Sequence, residues 1–222
     1  GGLKANEDVT FDVEEGTIVG VVGPNGAGKT TLFNSISRTH DLTSGQIIFD
    51  GKDITKMRAY QACLLGMGRT YQIPQALEDM TVMENIMVGA LAKRPKVKDA
   101  MEFAEEIAEF CGLSSLGDKL ASGLNVMQKK RLEIARALAG EPKILLLDEV
   151  MAGLNGVERD DAIELIRNIN AKGITILMIE HVMKVVMSVS TKVVVIVSGK
   201  KLMEGSPEEV TNDPAVINAY LG

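Results

Sequence analysis

The residues of this chain that could do chemistry fall in four places. The first is Gly23-Pro24-Asn25-Gly26-Ala27-Gly28-Lys29-Thr30-Thr31, which fits the spacing G-x-x-x-x-G-K-[ST]. Glycines in such a loop permit positive φ and leave no Cβ in the way, so successive backbone N–H groups around Gly26 to Thr30 can turn inward on phosphate oxygens. A helix starting near Lys29 adds its unpaired N-terminal N–H groups and its dipole. Lys29 would then set a point charge against the outer phosphates, and the Thr30 hydroxyl would be a ligand of Mg²⁺. The second place is Asp148-Glu149, directly after the apolar run Ile144 to Leu147. In an open parallel sheet ligands bind beyond the carboxyl ends of the strands, so Asp148 can hold Mg²⁺ there through its waters while Glu149 orients an attacking water. The third and fourth are Gln72 and His181, each closing a strand-like run. His181 would present an imidazole at the sheet edge where a γ-phosphate lies.

These residues need elements to hold them. Ile18 to Val22 reads as a buried strand entering the glycine-rich loop, and Lys29 to Ser37 as the helix leaving it. Before them, Val9, Phe11 and Val13 alternate with Thr10, Asp12 and Glu14, which predicts a half-buried strand closed by a turn at Gly16. Asp50-Gly51 predicts a hairpin after Gln46 to Phe49, followed by a short helix near Arg58 to Leu65 and a strand near Met67 to Gln72. From Pro74 to about Ala139 the spacing is helical: a capping box at Thr81 and Glu84, a second helix from Val97 to Cys111 stopped by Gly112, and a third from Met127 to Ala139. Strand and helix alternation then resumes, with strands at Ile144 to Leu147 and Ile174 to Ile179 around a helix from Val157 to Ala171. A hairpin turning at Ser198-Gly199 and two short helices near Pro207 and Pro214 follow. The expected class is α/β: a phosphate-loop NTPase core with a mostly parallel sheet, an antiparallel β portion and an inserted helical subdomain. Residues 1–72 and 140–222 form the core and 73–139 the insertion.

Composition narrows the function. No apolar run approaches the roughly 18 residues of a membrane span, and Cys63 and Cys111 make no disulfide framework, so a cytosolic protein is expected. A net charge of −6 argues against a broad nucleic-acid surface. The basic clusters Lys93 to Lys98 and Lys129 to Arg131 read as solvated helix faces. The chain opens Gly1-Gly2-Leu3 without an initiator methionine, so a trimmed or incomplete N-terminus is expected.

Taken together the motifs resemble the nucleotide-binding subunits of ATP-binding cassette (ABC) transporters over essentially the whole chain, and more closely the ATPase subunits of bacterial branched-chain amino-acid importers. GPNGAGKTT is similar to the family's Walker A and ILLLDE to its Walker B; Arg69-Thr-Tyr-Gln72 resembles its Q-loop and His181 its switch histidine. The closer likeness rests on MTVMENIMVGA, RLEIARALA, AGLN and the ending AYLG. The resemblance implies an ATPase using ATP and Mg²⁺, with Gln72 sensing the metal and the attacking water. It also implies a cytoplasmic subunit, peripheral on the inner face of the cell membrane, that works with transmembrane permease subunits and, indirectly, a substrate-binding protein. The insertion from Ile73 to about Ala100 would face the membrane partner. Met80, Met83 and Met87 there suit either an adaptable contact or the core.

ABC ATPases clamp the nucleotide of one subunit with a Leu-Ser-Gly-Gly-Gln signature from the other, and here those positions read Leu124-Asn125-Val126-Met127-Gln128. Asn125 and Gln128 keep polar groups for the nucleotide, whereas Val126 and Met127 add bulk where glycine lets the backbone approach. Since the clamp acts in trans, an asymmetric heterodimer with a second ABC ATPase is expected, with a homodimer as the alternative. Val150 replaces the usual proline after the glutamate, and the family's adenine-stacking aromatic residue has no counterpart before Phe11. Base stacking of that kind contributes about 1–3 kcal/mol. A nucleotide-gated subunit with weak hydrolysis, a soluble ABC ATPase and a phosphate-loop kinase are the rival readings. The first draws on the altered signature; the second lacks a coiled coil or tandem cassette; the third leaves Asp148-Glu149 and His181 unexplained.

Overall fold

The computed structural model describes residues 4–221. Strand β1 (Ile18–Val22) is buried along its whole length and runs into the glycine-rich loop, from which helix α1 (Lys29–Ile36) leaves. The predicted hairpin forms from β2 (Ile48–Phe49) and β3 (Lys52–Asp53), with Asp50 and Gly51 both at positive φ, the twist that suits a two-residue turn. Helix α2 (Ala59–Leu65) and strand β4 (Met67–Arg69) follow. Then come the helices α3 (Val82–Ala90), α4 (Val97–Phe110) and α5 (Val126–Ala139). The remainder alternates β5 (Ile144–Asp148), α6 (Gly156–Ala171), β6 (Thr175–Ile179), α7 (Met183–Val189), β7 (Lys192–Val197) and β8 (Lys200–Gly205), and closes with α8 (Pro207–Asn212) and α9 (Pro214–Leu221).

Six strands form one sheet in the order β4-β5-β6-β1-β7-β8, all parallel except β8, which pairs antiparallel with β7. The interior strands read as continuous apolar runs because both faces are covered. Leu145 and Leu147 of β5 point into one core with Ile166 and Ile169 of α6, and Leu146 points into the other with Phe33 of α1 and Leu177 of β6. Helices α3, α4 and α5 pack on one another through Ile86, Ala90, Ala104, Ala108, Leu132 and Ala135. The approach of α3 to α5 is close enough that a Cβ on Gly89 would stand 2.1 Å from the Arg136 carbonyl oxygen, so only glycine fits there.

Helix α3 starts at its predicted cap. Thr81 Oγ1 accepts from the Glu84 N–H while a Glu84 carboxylate oxygen accepts from the Thr81 N–H. Gly112 ends α4 at φ 68°. Two expectations need correction, and one helix goes unforeseen. Val9, Phe11 and Val13 are half-buried and Thr10, Asp12 and Glu14 exposed, as the alternation requires, but among the described residues the segment pairs with no strand. Its flanks are tied by Glu7 N–H to Gly199 O at 2.8 Å and Gly16 N–H to Thr175 Oγ1 at 2.9 Å. A cleft of about 640 Å³, lined by Val9, Phe11, Val13, Ile47 and Phe49, lies between it and the β2–β3 hairpin. Alternation tells which side chains turn inward; it does not supply a partner for the backbone. Next, α7 is a helix that sequence reasoning does not find: its valines favour strands by type, although Val182, Val185, Val186 and Val189 keep the i, i+3, i+4, i+7 spacing of a helix. Last, the cluster Lys129 to Arg131 is not a solvated face. Lys130 is only 7 % exposed and Arg131 donates to the Cys111 carbonyl at 3.4 Å.

Candidate nucleotide site

The parallel sheet brings the four groups of residues to one edge. The phosphate loop follows β1, Asp148 ends β5 with Glu149 next, Glu180 and His181 follow β6, and Gln72 lies three residues beyond β4. Strand β6 stands between β5 and β1, so the carboxylates and the loop face each other across one strand.

The loop is shaped by two glycines. A Cβ on Gly23 (φ 156°) would lie 1.9 Å from the Ile196 carbonyl oxygen, and one on Gly28 (φ 97°) would lie 2.3 Å from the Ala5 carbonyl oxygen. Gly28 is the N-cap of α1, whose first turn has neither a side-chain cap nor an acidic residue. The opening of the helix is thus left free for an anion. Lys29 is 7 % exposed and its ammonium donates to Gly23 O at 2.7 Å and Pro24 O at 2.9 Å. Burial lowers its pKa, while the charges of Glu149 and Asp148 act the other way. Asn25, Gly26 and Thr30 are exposed, Ala27 is buried, and Pro24 and Thr31 lie between.

Asp148 is 1 % exposed and its Oδ1 has no partner among the described residues. Its Oδ2 lies 3.5 Å from Arg69 Nη2. Burial raises the Asp148 pKa and the Arg69 guanidinium opposes that rise. A buried carboxylate oxygen without a donor, beside a phosphate cradle, suits a hard cation, so the residues fit Mg²⁺. Arg69 also reaches the end of α1, donating to Ser37 Oγ at 2.6 Å and Thr39 Oγ1 at 3.0 Å. Glu149 sits at φ 48°, uncommon for a residue with a side chain, and its N–H donates to Ile179 O at 3.0 Å. Gln72 Nε2 donates to Glu149 Oε2 at 2.7 Å. His181 is exposed and makes no side-chain hydrogen bond among the described residues. Asn125 and Gln128 form a reciprocal capping box at the start of α5, at 2.8 and 3.1 Å, which occupies their side-chain oxygens. Val126 is exposed beside them.

With this geometry in place, comparison with known proteins decides the family. A family model described as ABC transporter matches residues 6–152. The chain belongs to the ABC transporter family. It is accordingly an ATP-binding, ATP-hydrolysing cassette. A second model, described as Branched-chain amino acid ATP-binding cassette transporter, matches residues 200–222. Curated relatives include the high-affinity branched-chain amino acid transport ATP-binding protein BraF of Pseudomonas aeruginosa, 40% identical over all of this chain and 93% of its own length. The LivG protein of Escherichia coli K12, named likewise for branched-chain amino acid transport, is 37% identical with the same coverage. A solved nucleotide-free cassette from an ABC transporter superposes with a TM-score of 0.90 at 33% identity, covering 100% of this chain and 94% of that one.

Three buried charges around the cassette's Glu149 are missed by sequence reasoning. Lys130 donates to the carbonyls of Glu149 at 3.1 Å and Ala152 at 2.6 Å. Glu133 accepts from the N–H groups of Tyr71 and Gln75, both at 3.1 Å. Glu180 is fully buried and accepts from Met151 N–H at 2.9 Å, while its Oε2 lacks a partner among the described residues. This bond and those of Lys130 hold the chain beyond Glu149, where Val150 packs into the core in the place of proline. Burial pushes the Glu180 pKa up to about 7, with the Glu149 charge adding to the rise and Lys130 opposing it. An acid whose pKa is higher folded than unfolded takes up protons on folding, so its contribution to stability falls as pH rises from the unfolded value of 4.5 to about 7. Glu180→Gln should therefore flatten the stability profile. Urea titrations across that window should show wild type losing up to about 3 kcal/mol more than the variant, since each tenfold difference in proton affinity between the folded and unfolded chains is worth about 1.4 kcal/mol. Parallel profiles would place the titration elsewhere.

Proposed function

We propose that this cassette hydrolyses ATP to drive a membrane importer of branched-chain amino acids, as the peripheral subunit on the cytoplasmic face, joined to transmembrane permease subunits and served indirectly by a substrate-binding protein. The observation that carries the catalytic part is the Gln72–Glu149 hydrogen bond at 2.7 Å, standing at the same sheet edge as the phosphate loop. The names of the relatives and the match over 200–222 support the substrate class. Among the described residues no helix is long and apolar enough to cross a membrane, which is consistent with a peripheral place.

In this reading Gly23, Pro24, Asn25, Gly26, Ala27, Gly28 and Thr31 shape the loop whose N–H groups bind the phosphates. Lys29 leaves its two carbonyls for the outer phosphates. Thr30, Gln72 and Asp148 hold Mg²⁺, which when bound would neutralise charge on the outer phosphates. Glu149, held by Gln72, orients and polarises the attacking water, and His181 contacts the γ-phosphate. Preorganised charge of this kind supplies most of the catalysis. Residues 1–72 and 140–222 form the ATP-binding core and 73–139 a helical subdomain that meets the permease. Ile73, 74 % exposed, and Leu77, 40 % exposed, are among the apolar side chains offered there. Met83 and Met87 pack against the core, which leaves Met80 as the methionine available for contact.

The signature of this chain would act on a partner's nucleotide through Asn125 and Gln128. With Val126 and Met127 in place of small residues, two copies of this chain would make two weak clamps, and a second cassette with glycines there would complete the site over this chain's phosphate loop. Turnover by the lone chain should be slow, and mixing with the second cassette of the importer should raise it by about 10²-fold or more, the scale of a lost set of phosphate donors. Met127→Gly should raise the lone-chain rate. Phosphate release measured on the lone chain, the variant and the pair decides this; an equally fast lone chain would sink the heterodimer.

A further inference from the structure

Helix α5 carries a polar stripe, the buried Lys130 and Glu133 and the half-buried Arg136, spaced three residues apart and hence on one face. Each member grips backbone of a segment that holds a catalytic side chain. Lys130 donates to the carbonyls of Glu149 and Ala152. Glu133, 3 % exposed, accepts with one carboxylate oxygen from Tyr71 N–H and with the other from Gln75 N–H, so it straddles Gln72. Arg136 donates to Gln75 O at 2.6 Å. No ladder or helix holds residues 71–76, so these side chains take the place of secondary structure. Gln72 and Glu149 thus meet at 2.7 Å because one helix holds both of their segments.

From this we infer that Glu133 is a positioning residue for hydrolysis, fixing Gln72 against Glu149 and making the stripe the mechanical link from the signature at the start of α5 to this chain's own water-activating pair. The inference rests on the hydrolytic reading above. Asn125 and Gln128 cap the same helix, so a displacement of α5 when the signature closes on a partner's nucleotide would shift both segments together. A helix is stiff enough to pass such a displacement over the two turns between Asn125 and Glu133. Neither Glu133 nor Lys130 touches the phosphate loop, so ATP affinity should not depend on either.

The test compares wild type, Glu133→Gln and Glu133→Ala as full chains. Amide hydrogen exchange resolved over residues 70–76, ATP titration and steady-state ATPase kinetics are read on each. Glu133→Ala should speed exchange at Tyr71 and Gln75 by about tenfold or more, since both amides lose a charged acceptor, while β1 and β5 stay protected. Its kcat should fall about ten- to a hundredfold, the scale of a small misplacement of a catalytic group, with KM and ATP affinity within about twofold. Glu133→Gln keeps the shape and one acceptor oxygen and should lie between. If the alanine variant does not fold, the glutamine variant carries the same readouts. Unchanged exchange at Tyr71 and Gln75, or faster exchange with an unaltered kcat, would overturn the inference. Exchange that rises throughout the sheet would do so too, by making Glu133 a general stability residue. A wild type without turnover would refute the hydrolytic reading by itself; the inference would then stand or fall on whether ATP-induced protection of residues 70–76 is lost in Glu133→Ala.

Discussion

Glu149→Gln should abolish most hydrolysis while leaving ATP binding intact. Loss of a general base costs about 10²–10⁴ in rate, or about 3–5 kcal/mol of barrier. The substitution is a clean one here because the backbone does not depend on the carboxylate. The Glu149 N–H remains bonded to Ile179 O, and Lys130 remains bonded to the Glu149 carbonyl. A glutamine side chain can turn its own oxygen to Gln72 Nε2, so that contact also survives. What is lost is the negative charge that polarises water, and phosphate release should report it while a nucleotide titration stays level. A variant with near-normal turnover would remove Glu149 from the mechanism. Light scattering behind a sizing column on the same variant with Mg²⁺ and ATP then reads the signature. A dimer would show that the Leu124 to Gln128 loop closes despite Val126 and Met127, and a monomer that binds ATP would call for the second cassette.

The parts of this site that are legible in the sequence are those where spacing alone fixes the geometry. The phosphate loop needs glycine at Gly23 and Gly28 because backbone oxygens of Ile196 and Ala5 fill the space a Cβ would take. Thr81 with Glu84 caps its helix through neighbours in the chain. The strands ending at Asp148 and Ile179 announce themselves by apolar runs that only a sheet covered on both faces can bury. The segment from Val9 to Val13 shows the limit, since an inward-outward pattern survives without a paired strand. Lys130, Glu133 and Glu180 show another. A charged residue on a helix or at a strand end reads as solvated unless its partner is known, and all three find partners in backbone groups 19 to 62 residues away. Their one sequence signal is place: Lys130 and Glu133 lie on the face of α5 that also carries the buried Ile134 and Leu138.

Lys29→Ala should weaken both binding and catalysis, by a route that the loop geometry makes explicit. The ammonium satisfies two loop carbonyls at 2.7 and 2.9 Å in a site 7 % exposed. It is held close to where the phosphates would lie, with its charge poorly hydrated. Binding ATP exchanges those neutral acceptors for phosphate oxygens, and a bond between two charged groups is roughly twice as strong as one to a neutral acceptor. The exchange is favourable because the lysine has already been dehydrated by the fold; burial has lowered its pKa, so a nearby anion gains more from it than from an exposed ammonium. Alanine removes the charge and leaves Gly23 O and Pro24 O without their donor, which also relaxes the loop. The expected result is a loss of about ten- to a hundredfold in ATP affinity, from one or two charge-assisted hydrogen bonds, and about 10²–10³ in kcat, from a missing donor to the transferred phosphoryl group. Arginine should not rescue it, because a planar fork cannot occupy a pocket shaped around a compact ammonium. Salt should matter little to the wild-type contact, since buried charges are weakly screened. Titration with ATP and single-turnover kinetics on the two variants separate the two effects. If Lys29→Ala bound ATP as tightly as wild type, the ammonium would be a tether for the loop alone, and the phosphates would be held by the backbone N–H groups and the start of α1.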